Sequence, residues 1–187
     1  AYEVAMPVLT YRDYAALPDD GHRYELWEGD LHEVTSPGIR HQRIAFKLAR
    51  VLADHVETLG LGEVFCSPLD VLLSDLTVLQ PDVTFVGVNR SDTATADRGI
   101  EGAPTLVVEI LSSSTAADDR GRKRELYARY GVPYYWIVDG DAETIEAYVL
   151  EGESYRLSAR AAGEQTVDLP PFDRLDLVPA TLFPARS

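Results

Sequence analysis

The sequence contains a single cysteine, Cys66, among its 187 residues. One cysteine cannot form a disulfide bond within the chain, and it cannot supply the set of cysteines that a cysteine-based zinc site needs. The chain also lacks a glycine-rich phosphate loop, the sharp turn that carries a nucleophilic serine, and a helix with two zinc-binding histidines. These absences leave nucleotide hydrolases, serine hydrolases and zinc metalloproteases without support.

Long apolar segments are also missing. No run approaches the ~18 consecutive apolar residues of a membrane-spanning helix, and the N-terminus lacks the basic and apolar regions of a secretion signal. With 45% hydrophobic and 26% charged residues, the composition is that of a folded protein. We therefore predict a cytoplasmic protein in which residues 1–187 form one domain.

Positive charge is scarce, because 17 lysines and arginines stand against 31 acidic residues and give a formal net charge of -14. Such a protein is at first a poor partner for the phosphates of nucleic acids. Two segments that are predicted to be helical, residues 40–50 and 120–130, nevertheless carry a local excess of positive charge. Such an excess is also typical of a solvent-exposed helix face. The candidate nucleic-acid contacts on these helices are Arg40, Arg43, Lys47, Arg120, Arg122 and Arg124.

The periodicity of apolar residues divides the chain into helices and strands. The predicted elements are a short helix (10–17), a hairpin (24–34), an amphipathic helix (41–59), a strand or broken strand at 62–73, strands at 79–88 and 106–111, a helix (115–130), strands at 134–139, 144–150 and 154–159, and an edge strand within 168–183. Residues 89–103 are polar and are predicted to form a surface loop. This order indicates an α/β fold, with a mixed central β-sheet flanked by helices and additional β-hairpins at the N- and C-terminal sides.

One acidic residue interrupts the most apolar strand. In the stretch LVVEIL, residues 106–111, Glu109 lies in a run that is typical of a strand covered on both faces. An unpaired carboxylate in such a place costs several kcal/mol, so glutamate is rarely buried without a partner. We therefore treat Glu109 as a candidate functional acid. The alternative is a core acid paired with an arginine.

A second acid, Asp82, follows Pro81 at the start of another predicted strand. Proline favours an extended entry, so the carboxylate is expected at a strand end. Two carboxylates on neighbouring strands need a shared proton or a cation. Mg²⁺ (or Mn²⁺) binds oxygen ligands and suits an acid pair without a nearby cysteine. Taken alone, Asp82 is also typical of a turn or a helix cap.

The helix after Glu109 carries one of only two lysines in the chain. Lys123, Tyr127 and Tyr130 share one helical face. A lysine placed among arginines offers a compact ammonium that donates hydrogen bonds to a water or an oxyanion. The length of the helix allows it to fold back over the sheet and return this amine toward Glu109. The simpler alternative is a solvated helix residue.

Together these segments resemble a known family. The stretches RYELWEGDL (23–31), QPDVTFV (80–86) and LVVEILSSSTAADDRGRKRELYARYGVPYYWIVD (106–139) resemble, in order and type, the Uma-two (Uma2) group of the PD-(D/E)XK restriction-endonuclease superfamily. The resemblance spans roughly residues 22–150. It implies a restriction-endonuclease-like core of four mixed strands between two helices, and Mg²⁺-dependent hydrolysis of phosphodiester bonds in DNA.

The resemblance also implies roles for individual residues. Asp82 and Glu109 correspond to the motif acids and would hold one or two Mg²⁺ ions. The superfamily's lysine is expected two residues after the second acid, where this chain has Leu111. In the group that the chain resembles, the lysine has moved to the following helix, which points to Lys123. Its amine would orient the attacking water or stabilise the charge of the transition state.

Three further residues are candidates of second rank. Glu25, in the early hairpin, is a candidate extra metal ligand, and His41, at the opening of the amphipathic helix, is a candidate contact for a phosphate or a water. Asp70 is a candidate outer acid. Both Glu25 and His41 also have a structural interpretation. An acid at a strand edge opposite an arginine is common, and a histidine on the apolar face of a helix usually has a structural role.

The expected partner is DNA, and we expect a homodimer because two copies related by a two-fold axis cut both strands of a duplex most simply. A competing hypothesis is a catalytically inactive nuclease-fold module that acts in homo-oligomer or protein-partner binding, which a strongly acidic surface suits. A third option is a metal-dependent hydrolase of a small phosphorylated substrate.

Overall fold

The computed structural model describes residues 6–95 and 97–185. Its helices are α1 (Tyr11–Ala15), α2 (Ile39–Leu59), α3 (Ala116–Arg120) and α4 (Arg122–Arg129), with 3₁₀ segments at Val88–Thr93 and Pro179–Thr181. Its strands are β1 (Arg23–Trp27), β2 (Asp30–Val34), β3 (Gly62–Cys66), β4 (Val71–Ser74), β5 (Thr77–Leu79), β6 (Val83–Gly87), β7 (Ala94–Thr95), β8 (Gly99–Glu101), β9 (Leu106–Ile110), β10 (Tyr134–Asp139), β11 (Thr144–Glu151) and β12 (Ser154–Ala162). Across these described ranges, no helix has both the length and the apolarity needed to cross a membrane.

The strands form two six-stranded mixed sheets. The N-terminal sheet has the order β2-β1-β5-β4-β8-β7, and the central sheet has the order β12-β11-β10-β9-β6-β3. In the central sheet β9 and β10 are parallel, whereas the remaining pairs are antiparallel. The hairpin β1–β2 and the hairpin β11–β12 lie near the two ends of the chain. The predicted α/β fold with a mixed central sheet, flanking helices and terminal hairpins is therefore confirmed.

Helices cover both faces of the central sheet, and the alternation along β9 shows which residues face each helix. Val108 packs in one core with Leu48 of α2. Val107 packs in the opposite core with Leu126 of α4. Because side chains alternate along a strand, Glu109 points to the same side as Val107. The acid in the middle of β9 therefore faces the α4 side of the sheet.

Helix α2 confirms the predicted amphipathic pattern with small shifts at its ends. It begins at Ile39 and ends where Gly60 takes a left-handed conformation with φ 62°. Leu59, the last residue of the helix, is apolar but 58% exposed. Val56 is the last buried apolar residue, because Gly60 turns the chain away immediately after the final turn.

Two predictions for polar segments are wrong in part. The expected loop at 89–103 contains a 3₁₀ segment and the strands β7 and β8, because Ile100 is buried where β8 pairs with Val71 of β4. Residue 96 lies outside the described residues. The expected single helix at 115–130 is divided at Gly121, which has φ -112° and ψ -99°. Glycine tolerates this conformation and ends α3 before α4 begins.

The tail prediction is wrong in its secondary structure. No strand occurs in the described part of residues 168–183, where a 3₁₀ segment is the only regular element. The apolar side chains of the tail pack instead into the core on the α2 side. Their burial without a strand ladder explains why apolar alternation was misleading here. The buried residues are Leu169, Phe172, Leu175, Leu177, Leu182 and Phe183.

The chain crosses from one sheet to the other at residues 80–82, which we call the connector. Strand β5 ends at Leu79 in the N-terminal sheet, and β6 begins at Val83 in the central sheet. Of the predicted strand at 79–88, Leu79 is the last residue of β5, and only residues 83–87 form β6 in the central sheet. This crossing sets Gln80 and Asp82 between the two sheets.

Candidate active site

The two candidate acids lie side by side because of strand register. Strands β6 and β9 are antiparallel, with Val83 opposite Val108. Continuing this register by one residue places Asp82 opposite Glu109, and such neighbours have Cβ atoms roughly 4.5–5.5 Å apart. Asp82 Oδ2 accepts a hydrogen bond of 2.7 Å from the backbone N–H of Ile110. The strand-end acid and the strand-centre acid therefore meet, as their positions in the sequence predicted.

Glu109 is 3% exposed, and its Oε1 atom has two partners. The amine of Lys123 lies 2.7 Å from this oxygen, and the hydroxyl of Tyr127 donates a hydrogen bond to it at 2.7 Å. Both residues come from α4, so the helix folds back over the sheet as its length allowed. The alternative that Glu109 pairs with an arginine is wrong, and so is the alternative that Lys123 is a solvated helix residue.

Lys123 is surrounded by three buried carboxylates. Its Nζ atom lies 2.7 Å from Glu109, 3.3 Å from Glu25 and 3.6 Å from Asp119. These three acids are between 1% and 3% exposed. Asp119 was not among the predicted site residues. Its position four residues before Lys123, on the same helical face, was the one signal available in the sequence.

Glu25 reaches this cluster from the N-terminal sheet. Its carboxylate accepts hydrogen bonds from Trp27 Nε1 at 3.0 Å and from the backbone N–H of Gln80 at 2.7 Å. The side chain of Gln80 donates in turn to Asp70 Oδ1 at 2.8 Å, and Tyr14 donates to the same oxygen at 2.9 Å. Glu25 therefore contacts Lys123 directly, whereas Asp70 lies one layer further out, behind Gln80.

His41 contacts Asp82, with 3.2 Å between Nε2 and Oδ2. Its other ring nitrogen, Nδ1, is buried without a hydrogen-bond partner among the described residues. Burial is the largest single influence and lowers the pKa of His41, but the hydrogen bond and the charge of Asp82 together raise it above its usual value. His41 therefore contacts the carboxylate of Asp82 in this structure. Its contact with a phosphate or a water stays a prediction.

An open cleft of about 520 Å³ leads to these residues. Asp82, Glu109, Asp119 and Lys123 all line it. Both donors to Asp82 use Oδ2, and the contacts of Glu109 described above use Oε1. The second oxygen of each carboxylate is therefore the atom that is left for a further ligand.

The donor set fits a hard divalent cation. Within residues 6–95 and 97–185, no group of three or more histidine, cysteine, aspartate and glutamate side chains is already arranged to hold a metal ion. Mg²⁺ does not require such a group, because it keeps several waters and binds through one or two carboxylates. Asp82 and Glu109 offer two oxygen ligands of this kind, side by side in the cleft.

Burial changes the titration of the acids in this cluster. It raises the pKa of Glu109 well above its usual value, although the charge of Lys123 acts in the opposite direction. Burial also raises the pKa of Asp119 to about 6, again against the influence of Lys123. The neighbouring acids Asp82 and Glu25 raise both pKa values further. The cluster therefore has more negative charge than its single ammonium neutralises.

The raised pKa of Asp119 predicts an unusual pH dependence of stability in the metal-free protein. Between its ordinary pKa of 3.8 and about 6, the folded state binds more protons than the unfolded state. The contribution of Asp119 to stability is therefore most favourable below this window and becomes less favourable as the pH rises through about 6. We expect Asp119 to reduce the free energy of unfolding by about 2 kcal/mol between pH 4.5 and pH 8.

Denaturant unfolding in EDTA at these two pH values measures the effect. Asp119→Asn is expected to be more stable than the wild type at pH 8 and to lose this advantage at pH 4.5. The matched control is Asp118→Asn, because Asp118 is the exposed neighbour and is expected to change stability little at either pH. A loss of stability in Asp119→Asn at pH 8 would contradict the prediction.

The basic residues predicted to contact nucleic acid are mostly engaged within the chain. Of the six, Arg43 is exposed and has no hydrogen bond or ion pair among the described residues. Their role in nucleic-acid contact stays a prediction. The other five contact their own chain: Arg40 the carbonyls of Gly140 and Pro184, Lys47 the carbonyl of Thr181, Arg120 the carboxylate of Glu146, Arg122 that of Glu28, and Arg124 the carbonyl of Tyr155.

The fold and the sequence are both similar to those of other proteins. A crystal structure described as "a putative nuclease belonging to DUF820 from Anabaena variabilis" matches with a TM-score of 0.76 and 20% identity, covering 94% of this chain and 97% of that chain. Among sequences, the uncharacterized protein sll1609 of Synechocystis sp. is 23% identical over 164 residues, which are 84% of this chain and 89% of that protein. The uncharacterized protein slr1290 of the same organism is 28% identical over 128 residues, or 67% of this chain and 65% of that protein.

The family comparison covers the two sheets and the cleft together. The profile of Uma2, described as "Putative restriction endonuclease", matches residues 11–179. This range contains both candidate acids, the lysine and the connector, and it spans most of the chain. The chain belongs to the Uma2 family.

Proposed function

We propose that this protein is a Mg²⁺-dependent endonuclease that hydrolyses phosphodiester bonds in DNA. One observation carries the proposal: a buried ammonium, Lys123, faces three buried carboxylates beside Asp82 at the floor of an open cleft. The family and the fold support a nuclease in general. The arrangement of charge supports the metal, and the family supports DNA as the substrate.

The charge of the cluster supports a divalent cation. Glu25, Glu109 and Asp119 together carry three negative charges when ionised, whereas Lys123 supplies one positive charge. Buried charges are stable only when they are paired or bind a metal ion. A divalent ion in the cleft would offset this excess of negative charge. The raised pKa values of Glu109 and Asp119 fit the same imbalance.

Asp82 and Glu109 would hold the ion, because they are neighbours across β6 and β9 and each keeps an oxygen for a ligand. When bound, Mg²⁺ supplies Lewis acidity toward the scissile phosphate and lowers the pKa of a coordinated water. His41 would orient the Asp82 carboxylate through its Nε2 atom, and Tyr127 would orient that of Glu109 through its hydroxyl. Such supporting contacts fix the direction of metal ligands.

Lys123 would act as a fixed positive charge. Burial is the largest influence on its pKa and lowers it, but the charges of Glu109, Glu25 and Asp119 outweigh burial and raise the pKa well above the usual value. The amine therefore stays protonated and cannot remove a proton from water. It can donate a hydrogen bond to the attacking water or to a phosphate oxygen, which stabilises the negative charge of the transition state.

Plasmid nicking tests the proposed function directly. The purified wild type is incubated with supercoiled DNA in Mg²⁺, in Mn²⁺ and in EDTA. We expect nicked and linear products with either metal and none in EDTA, because the site needs a divalent ion to bring a phosphate to a cluster of acids. Activity that persists in EDTA would contradict the proposed dependence on a metal.

A second candidate function is a catalytically inactive module that binds a protein partner or further copies of itself. The observation in its favour is the net charge of -14, together with the engagement of five basic residues inside the chain. This function is favoured over the nuclease if neither the wild type nor Glu109→Ala cleaves any of several DNA substrates with either metal. The predicted homodimer belongs to either function, and sedimentation of the purified chain measures it.

A further inference from the structure

The mouth of the cleft carries an exposed aromatic ring. Phe46 lies on α2, lines the cleft and is 68% exposed. The core side of the same helix is formed by Ile44 and Leu48, which are at most 1% exposed, so Phe46 does not serve the core. Gln42 lies one turn earlier on the same face, lines the cleft and is also exposed. One face of α2 therefore presents an aromatic ring and an amide directly to the cleft.

The rest of the mouth is largely uncharged, and several of its side chains carry hydroxyl groups. Thr35 and Ser114 lie within hydrogen-bond distance of each other at 3.2 Å, and Ser112 lies 3.1 Å from Ser114. All three line the cleft. Arg23 is the lining arginine, and its guanidinium donates a hydrogen bond to Ser67. Hydroxyl groups bind sugar and phosphate oxygens, but they do not add the positive charge that long stretches of duplex backbone require.

The size of the cleft also restricts what it accepts. Its volume of about 520 Å³ lies in the range of roughly 300–1,000 Å³ that is typical of sites for small ligands. A site of this size accepts a few nucleotide units at most. Five of the six candidate phosphate contacts bind their own chain, so Arg43 is the one member of this set that is left to contact a duplex.

From these observations we infer that the cleft binds a single-stranded segment of DNA, with one nucleobase stacked on the ring of Phe46. The inference rests on the proposed function and specifies the form of its substrate. A base that is paired and stacked within a duplex cannot offer its face to a side chain, whereas an unpaired base can. Stacking tolerates any base and does not depend on positive charge, so it suits an acidic protein with an exposed phenylalanine at the mouth of its cleft.

Binding of a fluorescently labelled oligonucleotide tests the inference. The chain of residues 1–187 is titrated into a 12-nucleotide single strand and into a hairpin duplex of the same sequence, with Ca²⁺ in place of Mg²⁺, and anisotropy gives the dissociation constants. The variants are Phe46→Ala, Phe46→Leu, which keeps an apolar side chain without a ring, and Phe46→Tyr, which keeps the ring. Leu59→Ala is the matched control, because Leu59 is 58% exposed on the same helix and does not line the cleft.

We expect the wild type to bind the single strand more tightly than the duplex. Phe46→Ala and Phe46→Leu are expected to weaken binding of the single strand by about tenfold, whereas Phe46→Tyr and Leu59→Ala bind as the wild type does. The slope of affinity against salt concentration is expected to be the same in Phe46→Ala and in the wild type, because stacking releases no counterions. Phe46 is exposed, so its replacement leaves the core unchanged.

Three results would overturn the inference: equal or tighter binding of the duplex, wild-type affinity in Phe46→Leu, or no binding of the single strand. Cleavage assays in Mg²⁺ with both the plasmid and the 12-nucleotide single strand separate these failures from failure of the proposed function. If the protein cleaves duplex DNA and replacement of Phe46 does not change the rate, the proposed nuclease function is supported and the single-strand inference is wrong. If binding of the single strand depends on Phe46 but no DNA is cleaved, the inference is supported and the proposed nuclease function is wrong.

Discussion

Replacing Lys123 with methionine is expected to lower the free energy of unfolding by about 3–5 kcal/mol at pH 8. Methionine has a similar length and fills the same space, so the loss is mainly one of charge. Lys123 is 7% exposed and is the ammonium that contacts Glu25, Glu109 and Asp119. Without it, these carboxylates are left buried beside one another. Denaturant unfolding in EDTA measures the effect.

Two controls show whether charge is the cause. Lys47→Met removes the other lysine of the chain, which donates to the carbonyl of Thr181 at the surface, and is expected to cost under about 1 kcal/mol. In the double variant Lys123→Met with Glu109→Gln, a large part of the lost stability is expected to return, because one buried charge has been removed.

The loss in Lys123→Met is also expected to be smaller at pH 5. At this pH Asp119, whose pKa is about 6, takes up a proton. A loss that is the same at both pH values would contradict a cause based on charge.

The second large effect is expected for Glu109→Gln, which is predicted to reduce Mg²⁺-dependent DNA cleavage by at least about 100-fold. Glutamine retains the shape of the side chain and an oxygen that accepts the hydrogen bond from Tyr127. It loses the negative charge that would bind the metal. Because the site already contains surplus acid, we expect the metal-free variant to be as stable as the wild type or more stable.

The combination of lost cleavage and retained stability separates a catalytic role from a structural one. Initial rates of plasmid nicking are compared with the unfolding free energy of the same preparations. Glu63→Gln is the matched control, because Glu63 is an exposed glutamate on β3, in the same sheet and outside the cleft. It is expected to cleave at the wild-type rate. Wild-type cleavage by Glu109→Gln would exclude Glu109 as a metal ligand.

Local periodicity singled out the residues at the centre of the candidate site, and the resemblance to Uma2 suggested their roles. An acid inside an apolar strand and a lysine on the following helix are both visible in the sequence, and the geometry of the two elements limits where they meet. The contact between Glu109 and Lys123 at 2.7 Å follows from these local rules. The neighbouring position of Asp82 follows from its place at the start of the adjacent strand.

Contacts that depend on how the two sheets dock were not visible in the sequence. Glu25 reaches Lys123 only because β1 lies in the N-terminal sheet beside β5, and the backbone of Gln80 holds it there. Asp119 resembles an ordinary acid in the first turn of a helix, a position that acids favour for reasons of the helix dipole. Its burial depends on packing from distant parts of the chain, which the local pattern does not contain.

The same limit explains the errors in the fold. The short strand β8 pairs with its neighbour β7 and also, in parallel, with β4, a partner more than twenty residues away. The apolar residues of the tail pack into the core without any ladder. In both cases a long-range contact decided the local conformation, as is usual where intrinsic preferences are weak.

The connector at residues 80–82 acts as a spacer of fixed length between two halves of one site. On one side, the backbone N–H of Gln80 donates a hydrogen bond to Glu25. On the other side, Asp82 lies beside Glu109. An inserted residue would leave both sheets with their own ladders intact, yet it would separate Glu25 from Lys123 or turn Asp82 away from its neighbour. We therefore expect an insertion within these three positions to disrupt the site, whereas surface loops in general tolerate changes of length.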